Sequence, residues 1–303
     1  MGRRCEDSQG FRPRPADYLM KASTINPGTI VIVGLGLMGG SLAAACRRKF
    51  PRAKVVGVSR QKRAIREARR RGWIHEGFRD LAPAVKRADL VVLCTPVDTL
   101  DDFIARIDRL SSQKVIVTDV GSVKQGIPAR GHFKTVRFVG AHPMVGSHER
   151  GLQAARPDLY EKGTVFLTPT PKTDPAAFKQ VRVFWNLIAA RTVVMSPAEH
   201  DHLMSRISHL PHAVATALVL SVSAKDLGFV STGFRDTTRI AQSDGSVWVP
   251  IFLANRRFIL NALQTYAANL EKIARALRSR DGRALKKMLL AASSRRAGVA
   301  ARS

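Results

Sequence analysis

The sequence is poor in cysteine, in aromatic residues and in long apolar runs, and each shortage excludes a class of protein. Three cysteines among 303 residues (Cys5, Cys46 and Cys94) are too few for a disulfide scaffold, and no C-x-x-C pair suggests a zinc site. No stretch approaches the roughly 18 apolar residues of a membrane-spanning helix, and the N-terminal residues lack the apolar core of a signal peptide. We therefore expect a reducing, cytoplasmic location, no bound metal and no membrane partner.

Acidic residues are also scarce, which leaves the chain strongly basic. It has 50 Lys and Arg residues against 23 Asp and Glu residues, a formal net charge of +27. The excess is concentrated in residues 47–87, with 15 basic and three acidic residues, and in residues 271–303, with ten and two. This charge fits nucleic acid, an anionic small molecule, or an arginine-rich composition that serves no partner. Because only 6% of residues are aromatic and no nucleic-acid module is recognisable, a nucleic-acid-binding protein is the remote alternative.

Composition divides the chain into four segments. Residues 1–28 have no apolar periodicity and contain several prolines, which predicts a disordered basic tail. Residues 29–195 alternate short β-branched runs with helical stretches, a pattern typical of βαβ units and a doubly wound parallel sheet. Residues 196–292 have helical composition and predict an all-α domain, and residues 293–303 predict a second disordered tail.

The pattern predicts individual elements within these segments. Ser196 and Pro197 form a helix start, residues 228–236 predict a loop, and residues 247–277 predict one long helix with Pro250 in its first turn. The predicted strands are residues 30–33, 55–58, 90–93, 115–117, 137–139, 164–167 and 191–194. The predicted helices between them are residues 42–50, 61–71, 99–110 and 175–190.

A glycine motif joins the first strand to the first helix and predicts a Rossmann-like dinucleotide site. Gly34 permits a tight turn, Gly36 lets the backbone approach a pyrophosphate, and Gly39 allows close packing of helix on strand. The free N–H groups of the helix N-terminus would bind the phosphates. The expected cofactor contacts here are Gly34, Leu35, Gly36, Leu37, Met38 and Gly39, together with Thr95 and Pro96 after the strand at 90–93.

The residues after the second strand favour NADP over NAD. Ser59 lies 20 residues beyond Gly39, where an NAD-specific domain usually has an acid for the ribose 2′-hydroxyl. Here Ser59 is followed by Arg60 and then Arg63, and arginine can bind a 2′-phosphate through two hydrogen bonds. NAD remains the alternative, with Arg60 as a solvated loop residue.

Two segments that follow sheet strands carry candidate catalytic groups. They are T-D-V-G-S-V-K, residues 118–124, and G-A-H-P-M-V-G-S, residues 140–147. Open α/β sheets bind ligands at the carboxyl ends of their strands, so His142 is positioned to face a nicotinamide. Its ordinary pKa near neutrality suits a general base, although a lone histidine is also compatible with a structural role.

These segments, with S-H-L-P-H at residues 208–212 and G-F-R-D-T-T-R-I-A at residues 233–241, resemble the prephenate/arogenate dehydrogenase family over residues 29–290. The resemblance implies an NAD(P)-dependent oxidative decarboxylation in tyrosine biosynthesis. It also implies that the all-α domain is similar to the C-terminal domain of 6-phosphogluconate dehydrogenase and forms a homodimer. Prephenate is the expected substrate and arogenate the alternative; another hydroxyacid dehydrogenase of the same two-domain plan is less compatible with the residue 233–241 segment.

The resemblance also implies roles for individual residues. His142 would take the proton of the ring hydroxyl, Ser122 would assist it, and Arg239 would bind a substrate carboxylate. An ion pair between Arg239 and Asp236 and a structural role for Trp248 are the alternatives. The further substrate contacts that the resemblance implies are His209, Arg235 and Trp248.

Overall fold

The computed structural model describes residues 27–128, 133–146 and 149–300, with side chains as far as residue 298. Residues 1–26, which make up most of the expected N-terminal tail, lie outside the described residues. Residues 129–132, 147–148 and 301–303 lie outside them as well, so the end of the segment at residues 140–147 is not described.

An eight-stranded sheet forms the centre of the first domain and confirms the doubly wound prediction. Its strands lie in the order β3-β2-β1-β4-β5-β6-β7-β8, and neighbours are parallel except for the antiparallel pair β6 and β7. All seven predicted strands are present. The strands are β1 (Thr29–Val33), β2 (Lys54–Val58), β3 (Glu76–Phe78), β4 (Leu90–Leu93), β5 (Val115–Asp119), β6 (Val136–Met144), β7 (Thr164–Thr168) and β8 (Arg191–Val194).

The sequence pattern does not predict strand β3. Its three residues, Glu76, Gly77 and Phe78, include a single large apolar side chain and no β-branched residue. It forms because it adds to the free edge of β2, where Gly57 pairs with Gly77. Pairing with a neighbouring strand, and not local propensity, therefore makes this segment a strand.

Helices cover both faces of the sheet, as a doubly wound fold requires. Adjacent residues of β1 point to opposite faces, so Ile30 packs in one apolar cluster while Val31 packs in the other. One cluster lies under α1 (Leu37–Lys49), α2 (Lys62–Arg70) and α5 (Pro175–Ile188), and the other under α3 (Leu81–Val85) and α4 (Leu100–Leu110).

The second domain is entirely helical in the described residues, and its first helix begins as predicted. The Ser196 side chain accepts a hydrogen bond from the Glu199 backbone N–H, and the Glu199 carboxylate accepts one from the Ser196 backbone N–H, which together form a capping box. The helices are α6 (Pro197–Met204), a π-helical turn (Ser205–His209), α7 (Leu210–Leu220), α8 (Thr232–Thr238), α9 (Gly245–Ala254), α10 (Arg256–Arg278) and α11 (Gly282–Ala300).

Three predictions for this domain are wrong. The long helix at residues 247–277 is interrupted at Asn255, whose buried amide bonds to groups outside its own helix, and Pro250 lies inside α9 instead of in a first turn. The predicted loop at residues 228–236 contains the start of α8. The predicted tail at residues 293–303 continues α11 as far as Ala300, because its alanine- and arginine-rich composition favours helix.

Large apolar side chains remain exposed on the helical domain. Phe229 is 89% exposed and Leu220 is 80% exposed. Others on α9, α10 and α11 are Val247, Val249, Leu253, Leu260, Leu270, Leu277, Leu289 and Leu290. Apolar surface on this scale is unusual for a monomer. None of the described helices is both long enough and apolar enough to cross a membrane.

Candidate active site

The central strand β6 changes partners along its length, and this brings His142 to the edge of the sheet. Residues 136–139 pair in parallel with β5, whereas residues 140–144 extend beyond the end of β5 and pair with β7 in the antiparallel direction. His142 lies on this extension, opposite Phe166. The sequence places His142 after a strand; it in fact lies inside one, at the carboxyl edge of the parallel sheet.

The glycine turn lies at the same edge, and its glycines have distinct structural roles. Gly34 has φ = +96°, and its N–H donates to the Val58 carbonyl across 2.8 Å. A Cβ at Gly39 would overlap the Gly34 carbonyl oxygen. At Gly36 a Cβ would meet nothing within 4 Å, so this glycine is not required by packing within the described protein.

The open space at Gly36 fits a pyrophosphate. Gly36 is the N-cap of α1, no side chain of the described residues caps the first N–H groups, and the first turn contains no acid. These groups are therefore free to donate to an anion, as in other dinucleotide sites. Thr95 borders the turn, because its Cγ2 would lie 3.4 Å from a Cβ at Gly34, and Pro96 follows it.

The end of β2 presents basic side chains and no carboxylate at the expected ribose position. Ser59 accepts a hydrogen bond from the Gln61 backbone N–H, while Arg60 and Arg63 are exposed. A cavity of about 280 Å³ lies alongside, next to α2. It is lined by Arg63, Arg66, Glu67, Arg70 and Gln153. Glu67 is engaged by Arg70 at 2.8 Å and by Arg71 at 2.6 Å, and these bonds lower its pKa to about 2.

His142 is the end of a buried chain of hydrogen bonds that crosses between the two domains. Its side chain is 7% exposed, and its Nδ1 lies 2.9 Å from Nε2 of His200. Nδ1 of His200 lies 2.7 Å from Oδ1 of Asp201. Nδ1 of His142 is therefore occupied, and Nε2 is the nitrogen left for a ligand.

Asp201 also fixes the loop that follows β5. Its Oδ1 accepts the Lys124 backbone N–H at 2.9 Å, and its Oδ2 accepts that of Gln125 at 2.7 Å. This loop carries Ser122, which is partly exposed, two residues before Lys124. One carboxylate of the helical domain thus orients both the histidine chain and the loop that carries Ser122.

A buried ion pair lies beside His142. The Lys124 ammonium donates to the Asp119 carboxylate and, across 2.9 Å, to the Ala141 carbonyl. Asp119 in turn accepts the Ala141 backbone N–H at 3.0 Å. The pair therefore ties the end of β5 to the residue that precedes His142.

The buried setting keeps His142 neutral. Burial lowers its pKa well below the ordinary value, and the nearby His200, Lys124 and His209 lower it further. Burial also lowers the pKa of His200, against the opposing effect of Asp201. A neutral imidazole with one free nitrogen is a proton acceptor at neutral pH.

His209 lies on the π-helical turn between α6 and α7. Pro211 accounts for the turn, because its ring has no N–H and would clash with the carbonyl of the preceding helical turn. Nδ1 of His209 lies 3.0 Å from Nδ2 of Asn255, while its buried Nε2 has no partner in the described structure. Burial lowers the pKa of His209 to about 4.

Aromatic contacts bring Trp248 to the same region. Its ring stacks on His212 at a centroid distance of 3.4 Å and meets His209 edge to face at 6.0 Å. Trp248 also packs against an apolar cluster that combines residues of the first domain, such as Val97, with Ile251 of α9. Trp248 therefore lies at the domain boundary, close to the expected substrate contact His209.

Arg235 and Arg239 are exposed, and the structure does not bring them into contact with His142 or Ser122. Within the described residues neither forms an ion pair, so the alternative pairing of Arg239 with Asp236 is not observed. The turn with Arg239 packs on α7, which begins just after His209. No cluster of metal-binding side chains is found in the part of the chain that is described.

Comparison with known proteins identifies the family. Residues 42–194 match the prephenate dehydrogenase nucleotide-binding domain, and residues 196–291 match the prephenate dehydrogenase dimerization domain. The chain belongs to the prephenate dehydrogenase family. Its members are oxidoreductases, and the resemblance based on the four sequence motifs is therefore confirmed.

Individual members of the family are similar along most of the chain. The prephenate dehydrogenase of Bacillus subtilis is 33% identical over 289 residues, 89% of this chain and 76% of that protein. A crystal structure of Aquifex aeolicus prephenate dehydrogenase with hydroxyphenyl propionate and NAD+ has a TM-score of 0.80 at 32% identity and covers 91% and 99% of the two chains. The crystal structure of Synechocystis arogenate dehydrogenase has a TM-score of 0.75 at 30% identity and covers 89% of this chain and 99% of that chain.

Five residues that shape this site of the prephenate dehydrogenase family were not identified from the sequence. Asp119 and Lys124 lie within the quoted T-D-V-G-S-V-K segment, where a buried acid and lysine five residues apart could have been recognised as an ion pair. His200 and Asp201 follow the helix start at Ser196, and only their adjacency was available as a signal. Asn255 gave no signal, because its neighbours continue a helical pattern.

Proposed function

We propose that this chain catalyses the NAD(P)-dependent oxidative decarboxylation of prephenate to 4-hydroxyphenylpyruvate. The observation that carries the proposal is the environment of His142: a buried, neutral imidazole at the sheet edge, with Nδ1 held by His200 and Nε2 without a hydrogen-bond partner among the described residues. The open N-terminus of α1 lies at the same edge. A proton acceptor beside a dinucleotide site is what oxidation of a ring alcohol requires.

The proposed roles of the chain's residues follow from that arrangement. A bound nicotinamide supplies the hydride acceptor. Nε2 of His142 takes the proton of the substrate's ring hydroxyl, and Ser122 hydrogen-bonds the same hydroxyl. Loss of the ring carboxylate as CO₂ then makes the ring aromatic, so the chain needs no further acid or base for that step.

Substrate binding needs cations and donors, because prephenate carries two carboxylates. We propose that Arg239 binds one of them, since its guanidinium is exposed and has no ion-pair partner among the described residues. The unpartnered Nε2 of His209 supports a role as a second contact. Arg235 and Trp248 would line the same region.

A spectrophotometric assay tests this proposal. Purified protein mixed with prephenate and NAD or NADP should generate reduced nicotinamide. His142→Asn should lower kcat by about 10²- to 10⁴-fold, the usual contribution of a general base. Arg239→Gln should mainly raise KM.

Two variants control for nonspecific effects of those changes. His202→Asn alters an exposed histidine of α6, and Arg283→Gln alters an exposed arginine of α11; both should retain wild-type kinetics. Full activity of His142→Asn would contradict the assignment of the base. Absence of turnover of both prephenate and arogenate by the wild type would contradict the proposed reaction.

Arogenate is the second candidate substrate. The similarity to Synechocystis arogenate dehydrogenase over 89% of the chain favours it. Arogenate has an amino group where prephenate has a keto group, so the two compounds differ away from the reacting ring. Comparison of kcat/KM for both substrates under identical conditions decides between them, and we expect the larger value for prephenate.

NADP is the cofactor that we propose this chain prefers. Ser59, Arg60 and Arg63 support this preference, because no carboxylate lies there to bind the 2′-hydroxyl or repel a 2′-phosphate. Titrations should give a lower Kd for NADP than for NAD, and Ser59→Asp should reverse that order. A fiftyfold preference of the wild type for NAD would refute the interpretation.

We also propose a homodimer formed through the helical domain. The match of residues 196–291 to a dimerization domain and the exposed apolar side chains of α9, α10 and α11 support it. Light scattering of the purified protein should give twice the chain mass of 33.2 kDa. The monomer mass at micromolar concentration would contradict this.

A cytoplasmic location is the final part of the proposal. The thiols of Cys46 and Cys94 are free, which supports a reducing compartment. Cell fractionation should recover the protein with cytoplasmic markers, and recovery in an oxidising compartment would contradict the proposal.

A further inference from the structure

We propose that Asp201 and Asn255 are positioning residues that hold the two site histidines in opposite tautomers, so that His142 presents a lone pair and His209 presents an N–H to the substrate. The inference rests on the proposed function, because it assigns a task to each histidine in that reaction. Each tautomer follows from an oxygen of Asp201 that can only accept a hydrogen bond, the carboxylate in one case and the backbone carbonyl in the other.

The first branch begins at the Asp201 carboxylate. An ionised carboxylate only accepts, so the 2.7 Å contact requires Nδ1 of His200 to carry the proton. A neutral His200 then has a lone pair on Nε2, which must accept from Nδ1 of His142 across 2.9 Å. Nε2 of His142 is left without a proton and becomes the acceptor that faces the site.

The second branch begins at the Asp201 backbone carbonyl, which also only accepts. It lies 2.8 Å from Nδ2 of Asn255, so this end of the Asn255 side chain is the NH₂ group. The same Nδ2 lies 3.0 Å from Nδ1 of His209 and donates its second proton there. Nδ1 of His209 therefore accepts, and its proton lies on Nε2.

The consequence is a site with one acceptor and one donor in fixed positions. The N–H of His209 is buried and has no partner in the described structure, and a buried unpaired donor is costly unless a ligand oxygen satisfies it. A substrate carboxylate or carbonyl oxygen supplies that acceptor, whereas the hydroxyl that loses its proton faces His142. Exchange of the two tautomers would present a donor to the hydroxyl and a lone pair to the anion.

Both branches require neutral rings, and the surroundings provide them. Burial lowers the pKa of each of the three histidines. The titratable groups that face them are Lys124, Asp119, Asp201 and His212, and Lys124 is paired with Asp119. Asp201 is the remaining charge of this set and raises the pKa of His209, but burial outweighs this effect and the ring stays neutral.

Nuclear magnetic resonance of the whole protein, labelled with ¹⁵N only in histidine, tests the tautomers directly. Long-range ¹H–¹⁵N correlations distinguish a protonated ring nitrogen from a bare one, and single His→Asn variants assign the signals. At pH 7 we expect His142 and His200 with the proton on Nδ1, and His209 with the proton on Nε2. A proton on Nε2 of His142, or on Nδ1 of His209, would overturn the proposal.

Two substitutions should separate the branches. Asp201→Asn should disturb the His142 and His200 signals and lower kcat about 100-fold or more, since misplacing the tautomer of a catalytic histidine is severe in a comparable hydrogen-bonded chain. Asn255→Ala should leave the His142 signals unchanged, alter those of His209, and raise KM about tenfold with little change in kcat. Unchanged His209 signals in Asn255→Ala would contradict the second branch.

Asp108→Asn is the matched control. This carboxylate accepts backbone hydrogen bonds from Lys134, Thr135 and Val136 at the start of β6. His142 lies near the other end of that strand, so loss of the carboxylate should leave the histidine signals unchanged. If the tautomers are as stated but prephenate is not turned over, the proposed function fails and the positioning inference stands. If prephenate is turned over but the two tautomers are exchanged, the proposed function stands and the positioning inference fails.

Discussion

Gly36→Ala should weaken binding of the cofactor without unfolding the protein, because the space beside Gly36 is needed by the ligand and not by the chain. The backbone at Gly36 has φ = −92° and ψ = −154°, which an alanine adopts without strain. A Cβ there meets no protein atom within 4 Å. The cost to the fold should therefore be the small preference for glycine over alanine at an N-cap, below about 1 kcal/mol.

The effect on binding should be much larger. The new methyl group would occupy the place where a pyrophosphate approaches the first turn of α1, and it would lengthen the hydrogen bonds from the backbone N–H groups. Each such bond to a charged group contributes about 1.5–3 kcal/mol. Because about 1.4 kcal/mol corresponds to a tenfold change in Kd, loss of one bond should weaken cofactor binding about 10- to 100-fold.

Fluorescence titration of reduced nicotinamide nucleotide, combined with thermal unfolding, measures both quantities. Gly39→Ala should show the contrasting behaviour, since its Cβ would overlap a backbone oxygen of the turn; overpacking of this kind costs about 1–3 kcal/mol and should lower Tm by several degrees. Gly282→Ala, at the open start of α11, should change neither property. Wild-type affinity in a folded Gly36→Ala protein would refute the assignment of this turn to the cofactor.

Three further outcomes are expected. Burial raises the pKa of Asp108, but the hydrogen bonds from Thr135 and its neighbours outweigh burial, so the pKa is lowered overall. The carboxylate therefore stabilises the fold above its unfolded pKa, and this stabilisation is lost as the pH falls through its folded pKa. Urea unfolding of Asp108→Asn should differ from that of the wild type at pH 7 and converge with it near pH 2. The lowered pKa of His142 should keep kcat/KM level from pH 8 to below pH 6.5, and a loss of activity centred above 6.5 would contradict it. Leu253→Glu, on the exposed face of α9, should shift the mass in light scattering toward the monomer.

The first domain could be predicted from sequence because its signals are local. Buried parallel strands need apolar residues at successive positions, and β1, β4 and β5 meet that need with largely apolar runs that are rich in β-branched residues. The glycine turn is equally local, since the positive φ of Gly34 and the tight approach at Gly39 arise between neighbouring elements. Strand β3, which depends on pairing with β2, has no such signal.

The sequence predicts that the second domain is helical, but not where its helices begin and end, because some of these boundaries depend on contacts with residues distant in the chain. A helical pattern continues through Asn255, and the break appears only because its amide reaches Asp201, 54 residues earlier in the chain. The end of α11 shows the opposite error: the composition of residues 293–303 predicts a disordered tail, but this arginine- and alanine-rich stretch has a high helix propensity and continues α11 to Ala300.

The same distinction separates His142 from the residues that control it. His142 could be proposed from its position at a strand end, but the contact of His142 with His200 spans 58 residues, and that of Asp201 with Lys124 spans 77. Asp201 is 1% exposed, and a carboxylate so deeply buried is tolerated only when its oxygens are fully hydrogen-bonded. Its partners are in the loop after β5 and in the adjacent His200, so the hydrogen bonds that make its burial tolerable also join the helical domain to the first domain. A change that loosened the domain boundary would therefore disturb the protonation of His142 as well, which makes the orientation of the domains part of the chemistry of the site.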